Sequence, residues 1–485
     1  MTPDGRRPRL WSWALPAAAC LLLFACATKT FADPDLWGHL RFGLDTVQTR
    51  TLPTTYPYAF TQDRPWINHE YGSEIAMALA YLAGGIAGLA LLKGALVFAA
   101  FLVVWRALRG AGLPARMGIL GAVVLGTGSV ISVLRPQLWS LLFVGVLSGV
   151  LVRGDWRTRR WLPLLFLAWA NLHGGWVVGL GMLGVFATAD SFVDRRTALA
   201  WVALGVACIA ATLVTPYGVV LWRFALDTVT FNRDITEWQP LWTVPVMNWL
   251  PCVAAAAAAV WAAMQPQRYR WPVAAVLAML AYSALRVSRI GPLFVEATAV
   301  FLAPVFVAAW PKSEANRPAH LRLPAAGGAA ILATIAAVVV FTRTLTCIEV
   351  TGTWVPPENA VRFLKSGAPG RLVTYFNWGE YAIWHVGPGL RVSMDGTRET
   401  VYSDKRIAEH DAILAGTPAG LELLARWHAE YVWLPSSAGA TKSWLAGHGY
   451  RIELDDAASF VAVRDDRQRL ESPSVAPSSH RCFPD

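Results

Sequence analysis

Asp33-Pro34-Asp35-Leu36-Trp37-Gly38-His39-Leu40 follows directly on an apolar run, Trp11 to Ala27, so that two carboxylates stand where a first membrane span gives way to water. Acidic groups in that position sit at a membrane face, within reach of substrates carried by lipids. The rest of the chain agrees with such a setting. Of 485 residues, 55% are hydrophobic and only 15% charged, with a mean hydropathy of +0.41, far too apolar for ordinary globular domains. The reading is a polytopic α-helical membrane protein of about 11 transmembrane helices. Runs able to cross ~30 Å of hydrocarbon fall near 11–27, 84–105, 117–134, 137–152, 161–172, 175–192, 198–214, 247–264, 271–285, 291–310 and 323–343.

The net charge of +10 is explained by where the basic residues lie. Arg6, Arg7 and Arg9 precede the first span, and Arg106/Arg109/Arg116, Arg153/Arg157/Arg159/Arg160, Arg195/Arg196, Arg268/Arg270 and Lys312/Arg317/Arg322 occupy alternate loops. This is the positive-inside pattern. It puts the N-terminus in the cytoplasm and everything after Phe341 outside, and it excludes nucleic acid as the reason for the charge. Leu23-Phe24-Ala25-Cys26 is a partial lipoprotein-type cleavage site, but Phe24 fits it poorly, and the first segment reads as an uncleaved span.

Three regions follow. Residues 1–346 form the transmembrane module, including a long outer loop, 28–83, with surface helices expected at Leu36 to Val47 and Tyr71 to Leu82. Residues 347–470 have the composition of a soluble extracytoplasmic α/β domain, and 471–485 form a Ser/Pro-rich tail. Strands are expected at Arg371 to Phe376, Leu390 to Met394, Tyr431 to Leu434, Tyr450 to Leu454 and Ser459 to Arg464, with helices at Asp404 to Leu414 and Gly420 to Trp427. Cys20, Cys26, Cys208 and Cys252 lie in or beside apolar spans. Cys347 and Cys482 both fall in the outer region, where an oxidising compartment would allow a disulfide.

Asp33-Pro34-Asp35 has two readings. Asp, Pro and a second acid are favoured at a helix start by capping and by the helix dipole; alternatively one carboxylate caps while the other serves as a general base. Asp33 is the better cap, which leaves Asp35, in helix-opening company with His39, as the base. In Trp66-Ile67-Asn68-His69-Glu70, His69 and Glu70 either open the second surface helix or orient an acceptor and support a metal, and Glu74 lies one turn on from Glu70. The only cofactor such residues would accommodate is a divalent cation, Mg2+ or Mn2+. No CxxC or His/Cys spacing suggests structural zinc.

Arg135, in Leu134-Arg135-Pro136-Gln137, and Arg286 and Arg289, three residues apart on one helix face at the outer end of a span, escape the positive-inside explanation. They suit phosphate binding, or else snorkel to headgroups. Asn171-Leu172-His173-Gly174-Gly175, Tyr217 in Thr215-Pro216-Tyr217-Gly218, and Glu237-Trp238 would line an outer cavity with Gln137, although each motif also reads as a tight turn. Lys93 and Glu296, both within spans, suggest a structural ion pair. Asn377-Trp378-Gly379-Glu380-Tyr381 and Met394-Asp395-Gly396-Thr397-Arg398 follow expected strands and read as loops suited equally to sugar recognition and to turns.

Taken in order, the Asp33-Pro34-Asp35-Leu36-Trp37 motif with His39, the Trp66/His69-Glu70 segment, Arg135-Pro136-Gln137, Asn171-Leu172-His173-Gly174-Gly175, Pro216-Tyr217-Gly218 and the Trp378-Gly379 and Asp395-Gly396 turns resemble the GT-C membrane glycosyltransferases. More narrowly, they resemble a poorly characterised bacterial branch with an Asp-Pro-Asp first-loop motif. The resemblance implies a polyprenyl-phosphate-linked sugar as donor, a glycan, lipid or protein acceptor, and residence in the bacterial inner (cytoplasmic) membrane with the C-terminal domain periplasmic or extracellular. It assigns Asp35 as base, Asp33 as support or metal ligand, and Arg135, Arg286 and Arg289 to phosphate. The WWDYG motif of oligosaccharyltransferases is missing, which argues against protein N-glycosylation of that kind. A non-catalytic carrier or envelope-assembly protein would use the same lipid-binding features.

Overall fold

The computed structural model describes residues 9–230, 236–265, 271–312, 323–352, 354–470 and 481–485. The basic positions Arg6, Arg7, Arg268, Arg270, Arg317 and Arg322, and residues 471–480 of the tail, lie outside the described residues. Two compact units emerge, one of 1–30 and 83–348, the other of 31–82 and 349–485. The first outer loop therefore groups with the C-terminal α/β region and not with the membrane module, as its sequence position had suggested.

The first unit is helical. Among the described residues five helices are long and apolar enough to cross a membrane: Tyr71–Ala107, Trp176–Val193, Arg195–Thr212, Val246–Ala263 and Gly327–Thr344. Ser288–Phe301 with Ala303–Ala309 makes a sixth, bent by 52°, where Pro304 enters the second segment and cannot donate to the helix before it. Ala17–Thr28, Leu113–Gly126, Gln137–Arg153 and Trp271–Arg286 are shorter apolar helices. Large apolar side chains such as Leu199, Val202, Val206 and Ile209 are exposed along one helix, an arrangement stable in lipid and unfavourable in water.

Small residues allow close approach inside this unit. A Cβ on Gly179 would meet the Trp169 ring at 2.5 Å, and one on Gly94 would meet Thr28 Cγ2 at 2.6 Å. Thr28 and Thr344 hydroxyls bond at 2.8 Å, tying Arg9–Thr28 to Leu323–Thr344, which pack along each other. Lys93 and Glu296 are not an ion pair: the Lys93 ammonium donates to the Lys29 carbonyl, while both Glu296 carboxylate oxygens are buried without a hydrogen-bond partner among the described residues.

The second unit is built on a five-stranded sheet in the order β2-β1-β3-β5-β4. The strands are β1 (Gly370–Thr374), β2 (Leu390–Val392), β3 (Tyr431–Pro435), β4 (Tyr450–Asp455) and β5 (Ser459–Arg464). β1 is parallel to β2 and β3, whereas β5 runs antiparallel to β3 and β4. Helices Asp404–Ala415 and Pro418–Trp427 contribute Ile413, Leu423 and Leu424 to a core with Val373, Val432 and Phe460. Ser403 and Thr417 cap them through side-chain oxygens.

Segment 51–70 extends this sheet at its β2 edge. Ala59 bridges Val392 in parallel, with Phe60 N donating to Val392 O and Val392 N to Tyr58 O, both at 3.0 Å. Beyond the expected elements the unit contains a helix at Phe376–Val386, where the sequence suggested a loop. The first surface helix spans Leu36–Thr49. The second begins at Tyr71 as expected, but runs within Tyr71–Ala107, broken only at Gly85, where φ is 57° and ψ −136°. A glycine tolerates that backbone.

Candidate active site

Helix Leu36–Thr49 is held against helix Phe376–Val386 by aromatic packing and by one close backbone approach. Trp37 is fully buried, its ring 5.2 Å from Tyr381 and 5.1 Å from Phe483, and its indole N–H donates to the Pro484 carbonyl at 2.8 Å. Gly38 N–H donates to Glu380 Oε2 at 3.1 Å, and any side chain at Gly38 would collide with that carboxylate. Gly379 faces the Met394 carbonyl and Asp395 Cα equally closely.

These contacts aim two carboxylates at one point. A Cβ on Gly396 would meet Glu380 Oε1 at 2.6 Å and Asp35 Oδ1 at 2.7 Å, so the missing side chain leaves room for both. Asp35 takes the N-cap position of its helix, but its side chain makes no capping bond; Asp33, the expected cap, is buried and its carbonyl accepts from Leu36 N at 3.3 Å. Burial first, then the charges of Asp35, Asp395 and Glu74, push the Glu380 carboxyl well above the usual range, which favours its protonated form.

The His39 imidazole stands against the neighbouring carboxylates. His39 Nδ1 lies 3.1 Å from Glu74 Oε1 and Nε2 3.9 Å from Glu70 Oε2. Burial alone would lower its pKa, but the Glu74 hydrogen bond and the charges of Glu70, Glu74 and Asp35 raise it to about 9. His39 is thus a cation at pH 7. Asn68 Nδ2 donates to Glu74 Oε2 at 2.5 Å, and His69 Nε2 lies 3.6 Å from Glu70 Oε1. Among the described residues no group of three or more His, Cys, Asp or Glu is arranged to hold a metal ion.

Asp395 is built differently. Its Oδ2 accepts from the hydroxyls of Tyr56 at 2.8 Å and Tyr402 at 3.1 Å, and its Oδ1 from Thr397 N at 2.9 Å and Thr397 Oγ1 at 2.5 Å. Burial raises its pKa and these bonds oppose the rise. With its acceptor sites occupied, Asp395 fixes the Gly396 turn and does not face a substrate. Tyr56 belongs to an aromatic cluster with Phe42 and Trp66, 5.7 and 5.0 Å away.

The remaining expected residues lie in the first unit. Arg135 Nη1 pairs with Glu237 Oε1 at 2.9 Å, and Arg289 Nε lies 3.9 Å from Glu237 Oε2. Burial would raise the Glu237 pKa, but the two guanidiniums hold it below the ordinary value. Arg289 also stands 6.0 Å from the Trp238 ring. Arg286 does not share a helix face with Arg289: the helix ends at Arg286, Val287 is extended, and Ser288–Ile290 forms a separate 3-10 turn. Arg286 itself is exposed.

The expected cavity-lining residues are largely engaged with their neighbours. His173 Nδ1 takes a hydrogen bond from Ser140 Oγ at 2.6 Å and from Gly175 N at 3.1 Å, while Trp169 Nε1 donates to Ser140 Oγ at 2.7 Å. Asn171 Nδ2 donates to the carbonyls of Leu167 and Val214 at 2.7 and 3.0 Å. Tyr217 N meets Thr215 Oγ1 at 3.3 Å, and Gln137 opens helix Gln137–Arg153 with a buried Oε1 that has no hydrogen-bond partner among the described residues. An apolar groove of about 950 Å3 lies beside these turns, lined by Trp176, Leu180, Gly184, Trp201 and Trp222. Cys347 and Cys482 are disulfide-bonded, and Cys20, Cys26, Cys208 and Cys252 are free.

Comparison with known proteins places the fold. No family model and no curated protein matches the chain. A solved structure does: ArnT from Cupriavidus metallidurans, bound to undecaprenyl phosphate, with a TM-score of 0.51 at 13% identity, over 93% of this chain and 97% of that one. The fold is ArnT-like. At that identity the likeness concerns the course of the backbone.

Proposed function

We propose that this chain is a membrane glycosyltransferase of the GT-C type, transferring a sugar from a polyprenyl-phosphate-linked donor to an acceptor hydroxyl at the outer face of the bacterial inner membrane, with the N-terminus cytoplasmic. The observation that carries the reading is the convergence of Asp35 and Glu380 on the space above Gly396, beside a histidine held as a cation. Two carboxylates that converge on one site do not both ionise cheaply; burial and its neighbours favour the protonated form of Glu380, and Asp35, with His39 nearby, is the group left to act as base.

In the reaction, Asp35 removes the proton of the acceptor hydroxyl as that oxygen attacks the anomeric carbon. The bond from that carbon to the phosphate oxygen breaks, and polyprenyl phosphate departs with the electron pair. Arg135 and Arg289 serve the phosphate, with Glu237 as the counter-ion that it displaces, and Arg286 serves from the exposed helix end. Asp33 supports the Asp35 loop, and His69 and Glu70 orient the acceptor. The 950 Å3 groove suits an isoprenoid chain, and ArnT binds a lipid of this class.

The test is mass spectrometry of lipid-linked sugars and envelope glycans from cells with wild type, a deletion, or Asp35→Asn at matched expression. The proposal expects Asp35→Asn to reproduce the deletion, with a polyprenyl-phosphate sugar accumulating and one glycan residue missing. Wild-type glycans with Asp35→Asn, alongside a deletion phenotype, would replace catalysis by a carrier or assembly role.

A further inference from the structure

The second unit contains a separate cavity of about 430 Å3, lined among others by Glu358, Arg362, Lys365, Tyr381, His385 and Arg481. That is room for a small ligand. Its lining carries an excess of positive charge, with Arg362, Lys365 and Arg481 against Glu358 and Asp485. Glu358 is partly neutralised by its ion pair with Arg362. Arg481 is locked in place: Nη1 donates to the Pro356 carbonyl at 2.6 Å and Nη2 to the Tyr381 hydroxyl at 2.7 Å.

Three buried polar atoms here lack any hydrogen-bond partner among the described residues: Arg481 Nε, His385 Nε2 and Glu358 Oε2. Such atoms are costly when left unsatisfied, and finding three on one cavity is unusual in a folded protein. Burial, then the charge of Lys365, holds the His385 imidazole down to about 4, so the ring is neutral at pH 7; with its N–H given to the Pro484 backbone, Nε2 is left as an acceptor.

We infer that this cavity binds a hydroxylated small anion, an acidic sugar bearing a carboxylate or a phosphate. Arg481 Nε and the surplus positive charge take the anionic group, and Glu358 Oε2, an acceptor, takes a hydroxyl. A neutral sugar leaves the positive charge unmatched, and a bare anion leaves Glu358 unsatisfied. Glu358, Lys365, His385 and Arg481 lie outside the carboxylate site around Gly396, so the inference stands whether or not that site transfers sugar.

The experiment uses the full chain in lipid nanodiscs, titrated with D-glucuronate, D-glucose 6-phosphate, D-glucose and inorganic phosphate, and read by saturation-transfer NMR and calorimetry. At least one acidic sugar is expected to bind ten times more tightly than glucose or inorganic phosphate. Preference between the two identifies the group as carboxylate or phosphate. Lys365→Glu, at an exposed position whose replacement spares the fold, and Arg481→Gln should each weaken binding at least tenfold, while Asp35→Asn leaves it unchanged. Acidic sugars no tighter than glucose, inorganic phosphate binding equally well, or binding lost with Asp35→Asn but not Lys365→Glu would overturn the inference.

Discussion

Around Gly396 the chemistry is decided by which carboxyl holds a proton. Burial and the neighbouring carboxylates push Glu380 toward its protonated form, so the neutral isostere Glu380→Gln should retain turnover within about threefold, whereas Asp35→Asn removes the base and should cost on the order of 10²–10⁴-fold. Gly396→Ala places a methyl where both carboxylates lie. They are the ends of flexible side chains and can swing aside, so this variant should fold normally yet lose about 100-fold in rate through misplacement alone. His39 gives a pH signature. Its pKa rises from 6.5 to about 9 on folding, so its contribution to stability is complete below pH 6.5 and is lost as pH rises through 9. Thermal unfolding should show the wild type losing stability between pH 6.5 and 9, and His39→Gln should be less stable at pH 6 but equal to wild type at pH 9.5. At this scale the sequence was only half legible: Asp35 and His39 share a short motif, but Gly38 and Glu380 are 342 positions apart, and only the tertiary fold joins them.

Among the elements, what could be read from the chain depended on whether local pattern and burial agreed. The five strands are short apolar runs bounded by turn residues, and each appears within two residues of its expected bounds. Phe376–Val386 was hidden because Asn377, Gly379 and Glu380 look like loop residues; buried on Trp378, Gly379, Glu380, Tyr381, Ala382 and Ile383 alike, the helix has no polar face along that stretch to reveal its period. Arg286 and Arg289 misled in the opposite sense, their spacing fitting a helix that Val287 ends. The close approach at Gly379 yields a prediction that belongs to this scale. A Cβ there meets the backbone of Met394 and Asp395, which cannot swing aside, so Gly379→Ala should destabilise the second unit by about 1–3 kcal/mol, seen as faster amide exchange in 376–397 than in wild type. Equal exchange would mean that the backbone yields more cheaply than such packing implies.

The chain divides into a unit of apolar helices and an α/β unit, and composition announced the first while hydropathy along the chain located the second. What composition did not announce is the partition of the chain, in which 31–82 joins 349–485: loop 51–70 supplies an edge to a sheet formed some 300 residues later, as the Ala59 to Val392 bridge records. The candidate site is therefore made by two distant stretches of one unit, and neither holds it alone. The most direct test of that account is turnover by purified protein in liposomes loaded with the polyprenyl-phosphate sugar that accumulates in deletion cells, with polyprenyl phosphate release as the readout for wild type, Asp35→Asn and Glu380→Gln. Release by the wild type and by Glu380→Gln, with Asp35→Asn reduced at least 100-fold while still binding the lipid, is the predicted result. Asp35→Asn releasing polyprenyl phosphate at the wild-type rate would contradict it.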